Sequence, residues 1–196
     1  MKKKWVFKKI EYFVYYIQSL IYYLSKMNKV FHSNIINTIN NFGGQIINDV
    51  DTKKIFGANA SSVDTVFKHN NKIFLIVSKW DNGVMSTNNV NQFLKSCNHI
   101  ISEVAAKEPS NNYEYYKVII SKKTINYNDF TDLHGKPKLY NFTLNECDQN
   151  QIIPEMFEYT LMENLCMRFY NFVSSTLNYY PGLMESDGDV KMSYSY

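Results

Sequence analysis

Arginine is almost missing from this sequence: Arg168 stands alone against twenty lysines. Cysteine is scarce as well. Cys97, Cys147 and Cys166 are odd in number, widely spaced and without a CxxC pair, which excludes a disulfide framework and a zinc site of the usual spacing and points to reduced thiols inside a cell. No GxxxxGK[ST] or GxGxxG loop is present to cradle phosphates, no HExxH to bind zinc, and no GxSxG to present a nucleophile. The four histidines, His32, His69, His99 and His134, lie far apart, and each reads as a surface or turn residue. Long hydrophobic runs are missing too. Glu11 and Gln18 interrupt the apolar opening, and the stretch from Tyr12 to Leu24 is shorter than the ~20 residues needed to span a bilayer. No small-residue cleavage site follows it, so a secretory signal is not indicated.

What is there suits one globular domain, alone or with a helical appendage: 196 residues, 45% hydrophobic and 20% charged. These proportions exclude wholesale disorder and collagen-like or disulfide-stapled folds. The abundance of Lys, Asn, Tyr, Ile and Phe is the mark of AT-rich coding, as in an AT-rich virus, plasmid or microbe, and the sixteen tyrosines are no evidence of base stacking by count alone. Charge is asymmetric. Residues 1–100 carry thirteen Lys against five acids, +8, and residues 101–196 carry eight Lys or Arg against thirteen acids, −5, for the net +3. A basic front half attracts polyanions, nucleic acid first and an anionic membrane surface second.

Periodicity orders the chain. Val6, Ile10, Phe13, Val14, Ile17, Leu20, Ile21 and Leu24 recur at three- and four-residue steps, an amphipathic helix that packs on the domain, on a partner or on a membrane surface. A second helix is expected from about Ser33 to Phe42, stopped by Gly43-Gly44. Strands are expected at 45–48, 62–67 and 72–80, the last two joined by the turn KHNN. Val90, Phe93, Leu94, Cys97, Ile100, Ile101 and Val104 form another helical stripe, broken at Pro109. Strands at 116–121 and 139–144 follow, and a long helix starts near Pro154. The expected fold is α/β, a mixed sheet flanked by helices in which the hairpin feeds a crossover helix and a parallel strand. Its parts are an N-terminal amphipathic helix over 1–27, a domain over 28–180 and a flexible acidic tail over 181–196.

The stretch from Phe56 to Leu94 has a particular layout: Gly57, Asp64 on a strand, a turn, a hydrophobic strand ending in Lys79, and a helix carrying Val90, Gln92 and Phe93. This resembles the PD-(D/E)XK nuclease superfamily, in its Mrr-like restriction endonuclease branch, over roughly residues 30–125. The resemblance implies a restriction-endonuclease-like core with an extra N-terminal helix and a long C-terminal one. It implies that Asp64 is a Mg²⁺ ligand, that Lys79 steadies the attacking water or the phosphate, and that Gln92 belongs to the catalytic set. In that family an acidic residue two positions before the lysine completes the metal site, because strand alternation points both side chains to one face. Here that position is Val77, which cannot ligate a hard cation. Asp81, Asp49, Asp51, Glu11 and Glu103 are all open as a migrated acid.

The expected function is therefore nuclease-like binding of nucleic acid in the cytoplasm of a cell or host, or in a virion, with Mg²⁺-dependent hydrolysis weakened or lost. DNA is the expected partner, and Lys53, Lys54, Lys68, Lys72 and Lys95 are the expected phosphate contacts. The alternative is a non-enzymatic scaffold that self-associates, or binds a partner, through its terminal helices.

Overall fold

The computed structural model describes residues 2–80, 83–131, 137, 139–144 and 155–179. The elements in chain order are α1 (Lys2–Asn40), β1 (Gln45–Asn48), α2 (Asp49–Phe56), β2 (Thr65–His69), β3 (Lys72–Lys79), α3 (Thr87–Lys107), β4 (Glu114–Ser121), β5 (Tyr140–Thr143) and α4 (Glu155–Leu177). The strands form one five-stranded mixed sheet in the order β1-β2-β3-β4-β5, the first three antiparallel and the last three parallel. This is an α/β fold, as the alternation of strand and helix signals predicts.

The hairpin turns at Asn70-Asn71 between the paired residues His69 and Lys72, with Asn70 in the left-handed region at φ 52, which asparagine tolerates better than most residues. Ser86 caps α3 by accepting a hydrogen bond from the Asn89 N–H. Helix α3 then returns the chain to the start of β4, which pairs parallel to β3, the crossover expected between parallel neighbours.

Alternation along the strands divides two cores. Phe67, Phe74, Ile76, Trp80, Val118 and Ile120 face α1 and α4, while Val66, Ile73, Leu75 and Ile119 face α2 and α3. Helix α1 enters the first core through Met27, Phe31, Ile35 and Ile39, all fully buried. Aromatic rings fill the same layer: Phe74 stacks on Tyr116 at 4.9 Å, and Tyr140 lies 4.7 Å from Phe172. These tyrosines are packing residues.

One local expectation is corrected and one element is added. The pair of N-terminal helices is one continuous helix of 39 residues. No glycine or proline interrupts 26–33, and the buried stripe passes unbroken through it, so the helix has no physical reason to stop. The segment after β1 forms the short helix α2, in which Asp49 and Asp51 occupy the favourable first turn and Lys53 and Lys54 the last. The long C-terminal helix is present where Pro154 suggested it. Cys147, His134, Asp81 and the tail beyond residue 179 lie outside the described residues.

Candidate functional site

The hairpin brings the chemistry together. Thr65 pairs with Ile76, so Asp64, one step earlier, stands opposite Val77, and its N–H donates to the Ile76 carbonyl at 2.9 Å. Asp64, Val77, Ser78 and Lys79 line a cleft of about 400 Å³ with Asn28, Lys29 and His32 of α1 and Asp49 of α2. Alternation puts Val77 and Lys79 on one face of β3, and Val77 packs against the α2/α3 core.

Hydrogen bonds fix these groups. The Ser78 N–H donates to Asp64 Oδ2 at 2.7 Å, and His32 Nδ1 lies 3.1 Å from Ser78 Oγ. Burial pushes the Asp64 carboxyl above its ordinary value; the Ser78 N–H and neighbouring His32 pull the other way, and nearby Asp49 adds to the rise. The end of β3 is anchored by Asn28, whose Oδ1 accepts the Trp80 N–H at 2.6 Å. Behind it lies a buried polar network in which Trp80 Nε1 donates to Glu158 Oε2 at 2.8 Å while Lys122 is ion-paired to Glu158 Oε1. Two buried hydroxyls, Thr65 Oγ1 next to Asp64 and Ser121 Oγ in register with Lys79, have no hydrogen-bond partner among the described residues.

The expected residues sort unevenly. Asp64 and Lys79 converge on the cleft. Gln92 is exposed on α3 and does not line that cleft. Lys53, Lys54 and Lys95 are exposed, on α2 and α3. Lys68 and Lys72 have work inside the fold. Lys68 is bonded to Glu108 at 3.0 Å and sits over the Tyr113 ring, and Lys72 donates to the Thr176 carbonyl near the end of α4, where a cation complements the helix dipole. The lone arginine likewise ties α4 to the sheet, Arg168 Nη1 donating to the Thr143 carbonyl at 2.8 Å.

Of the acids that could have migrated, Asp49 reaches the cleft, whereas Glu103 pairs with Lys107 along α3. His32 and Asn28 carried no signal in the sequence, where each was one polar residue beside a buried stripe. Only their four-residue spacing, which puts both on one face of α1, could have drawn the eye.

The described donors are sparse for Mg²⁺, Asp64 and Asp49 being the carboxylates that line the cleft. One oxygen of Asp64 is already held by the Ser78 amide, position 77 is apolar, and no three His, Cys, Asp or Glu side chains among the described residues are grouped to hold a metal ion. The described thiols offer no nucleophile either: burial pushes Cys97 up and Cys166 up to about 11. What the cleft does offer is an amide, a histidine and two lysines beside two carboxylates, Asp49 and Asp64, the second of which burial disfavours as an anion. The chain matches no family model, no curated protein and no solved structure.

Proposed function

We propose that this chain is a nuclease-like nucleic-acid-binding domain on the PD-(D/E)XK plan, with metal-dependent hydrolysis weakened or lost, and that it derives from a virus or mobile element with an AT-rich genome. The observation that carries the reading is the meeting of Asp64, Val77 and Lys79 in one cleft at the end of an antiparallel hairpin. A crossover helix and a parallel strand follow directly. The same register that brings Asp64 to Lys79 puts valine where a second acid would have to stand, so the architecture suits handling a phosphodiester while the metal chemistry lacks a ligand. Affinity then comes from exposed lysines of the basic front half, Lys53, Lys54 and Lys95 among them, through sequence-independent phosphate contacts.

The test is binding to duplex and single-stranded DNA across a salt series, with cleavage of supercoiled plasmid in Mg²⁺ and Mn²⁺, for the parent chain, Asp64→Ala, Lys79→Ala and Val77→Glu. Salt-dependent binding with little or no cleavage is expected of the parent and of both alanine variants. Val77→Glu, which places a second carboxylate opposite Asp64, is expected to add divalent-metal binding measurable by calorimetry. Absence of binding at low salt, or binding indifferent to salt, would refute the reading.

A further inference from the structure

Ser78 differs from the other hydrogen-bonded serines among the described residues. Ser86, Ser96, Ser102, Ser174 and Ser175 donate to carbonyl or amide oxygens, which holds a loop or a helix in place and occupies the hydroxyl proton. The Ser78 hydroxyl faces an imidazole instead: His32 Nδ1, 46 residues away in the chain, lies 3.1 Å from Oγ. The other described histidines meet no hydroxyl. His99 Nε2 is bound to the Phe56 carbonyl at 2.8 Å, and His69 Nδ1 is buried without a partner among the described residues.

Distance decides where the hydroxyl proton goes. Asp64 Oδ2 is the other acceptor near Oγ, at 3.5 Å, and it already takes the Ser78 N–H at 2.7 Å. A separation of 3.5 Å is the outer limit of a hydrogen bond, so the proton points to His32 Nδ1 and the neutral ring carries its own proton on Nε2. The two groups are held in place from both sides. Asp64 fixes the serine through its backbone N–H. Four residues before His32, Asn28 accepts the Trp80 N–H at 2.6 Å and ties α1 to the end of β3, while Phe31 and Ile35 bury the adjoining face of the helix.

A hydroxyl within hydrogen-bond reach of a neutral imidazole is an activated nucleophile in its simplest form. Ser78 and His32 are both half-buried and both line the cleft of about 400 Å³, so a small molecule in the cleft can reach Oγ. Charge selects the electrophile. Lys29 and Lys79 are offset by Asp49 and Asp64, which leaves the cleft with little preference for a charged ligand, yet an oxygen that turns anionic during reaction finds two ammonium groups there. A neutral carboxylic ester under attack follows that course. We propose that Ser78 is a nucleophile toward uncharged carboxylic esters, with His32 as its base. Oγ bonds to the ester carbon while its proton passes to His32 Nδ1 and the carbonyl electron pair moves onto oxygen. The bond from carbon to the alcohol oxygen then breaks, and His32 returns the proton to that oxygen. Acyl-Ser78 and free alcohol result, and water, deprotonated by His32 in turn, releases the carboxylic acid and restores the serine. This inference stands apart from nucleic-acid binding.

The full chain, in the presence of a chelator, is treated with an uncharged alkyl fluorophosphonate, whose phosphorus a reactive serine attacks with loss of fluoride, and separately with p-nitrophenyl acetate. Intact mass and peptide mapping are expected to find one phosphonyl group per chain, on Ser78, and a burst of p-nitrophenol matched by acetyl on the same residue. Ser78→Ala should give neither. His32→Ala should slow both reactions at least ~100-fold, and so should His32→Gln, which keeps a polar side chain beside Oγ but cannot take its proton. Thermal unfolding of the variants separates lost chemistry from a lost fold. An unmodified parent chain, adducts mapped to residues other than Ser78, or labelling of Ser78 at the parent rate in either His32 variant would overturn the proposal. Phosphonylation without acetylation would overturn the carboxylic ester as the substrate class.

Discussion

Lys122 and Glu158 should be worth more to this protein than any pair on its surface, and the reason is burial. Their side chains are 8% and 11% exposed, Glu158 also accepts the Trp80 indole N–H at 2.8 Å, and the Lys122 ammonium lies 5.4 Å from the centre of the Trp80 ring. Glu158→Gln keeps an acceptor for the indole but leaves the ammonium buried without its counter-charge; Lys122→Met leaves the carboxylate in the same position. Removing one partner of a buried pair costs ~3–5 kcal/mol, a large part of the 5–15 kcal/mol that holds an ordinary domain together. Replacing both, Lys122→Met with Glu158→Leu, removes both charges and strands only the indole N–H, at ~1–3 kcal/mol. The double variant should therefore be more stable than either single one. Urea unfolding followed by tryptophan fluorescence measures this, because Trp80 is 1% exposed and directly reports the network. Singles that cost less than about 1 kcal/mol, or a double equal to their sum, would refute the argument that low dielectric makes this pair expensive to break. The consequence reaches the cleft, since Trp80 is the neighbour of Lys79 and shares its anchorage at the end of β3.

Asp64 gives a pH signature of unusual sign. Its carboxyl is raised above the ordinary 3.8 by burial, so the folded state binds the proton more tightly than the unfolded chain, and this group's contribution to stability falls as pH rises from about 3.8 through the raised value. Asp64→Asn, which can still accept the Ser78 N–H, should raise the melting temperature at pH 7 and remove that part of the slope; a lower melting temperature would contradict it. Gly44 has φ +106, and a Cβ there would meet the Lys68 carbonyl oxygen at 2.5 Å, whereas Gly43 at φ +67 opens to free space. Gly43→Ala should cost ~1 kcal/mol and Gly44→Ala ~3 kcal/mol or more by thermal unfolding, the difference being the backbone clash. Lys53→Gln, Lys54→Gln and Lys95→Gln should each reduce the salt slope of DNA binding by about one, with at most ~1 kcal/mol of stability lost at Lys53 and Lys54 in the last turn of α2. Lys68→Met and Lys72→Met should instead lower stability, by about 1 kcal/mol or less for the half-exposed Lys68 pair.

The sequence alone determined whatever depends on neighbours along the chain. The β-branched and aromatic run over 72–79 and the turn signal KHNN specified a hairpin, the stripe from Val90 to Val104 specified α3, and Gly43-Gly44 marked the end of α1. The register was not legible there: the turn forms at Asn70-Asn71, inside the expected KHNN, with His69 and Lys68 in the strand, and Asp64 and Lys79 were expected together only through the family resemblance. Helix boundaries were less legible: nothing in composition separates one long amphipathic helix from two short ones when neither glycine nor proline intervenes, and α2 is too short to show a period. Only the tertiary structure decided which polar residues surround the cleft. His32 and Asn28 reach it because α1 crosses the sheet at the end of β3, and Asp49 because α2 begins where β1 ends. Lys122 and Glu158, 36 residues apart, became a buried pair only when α4 closed over β4. Apolar patterning is written locally, because burying a side chain asks only which face it is on. The energy of a charge or a hydrogen bond depends on one specific partner and on the water excluded around both, and those are fixed by elements that meet only in the folded chain.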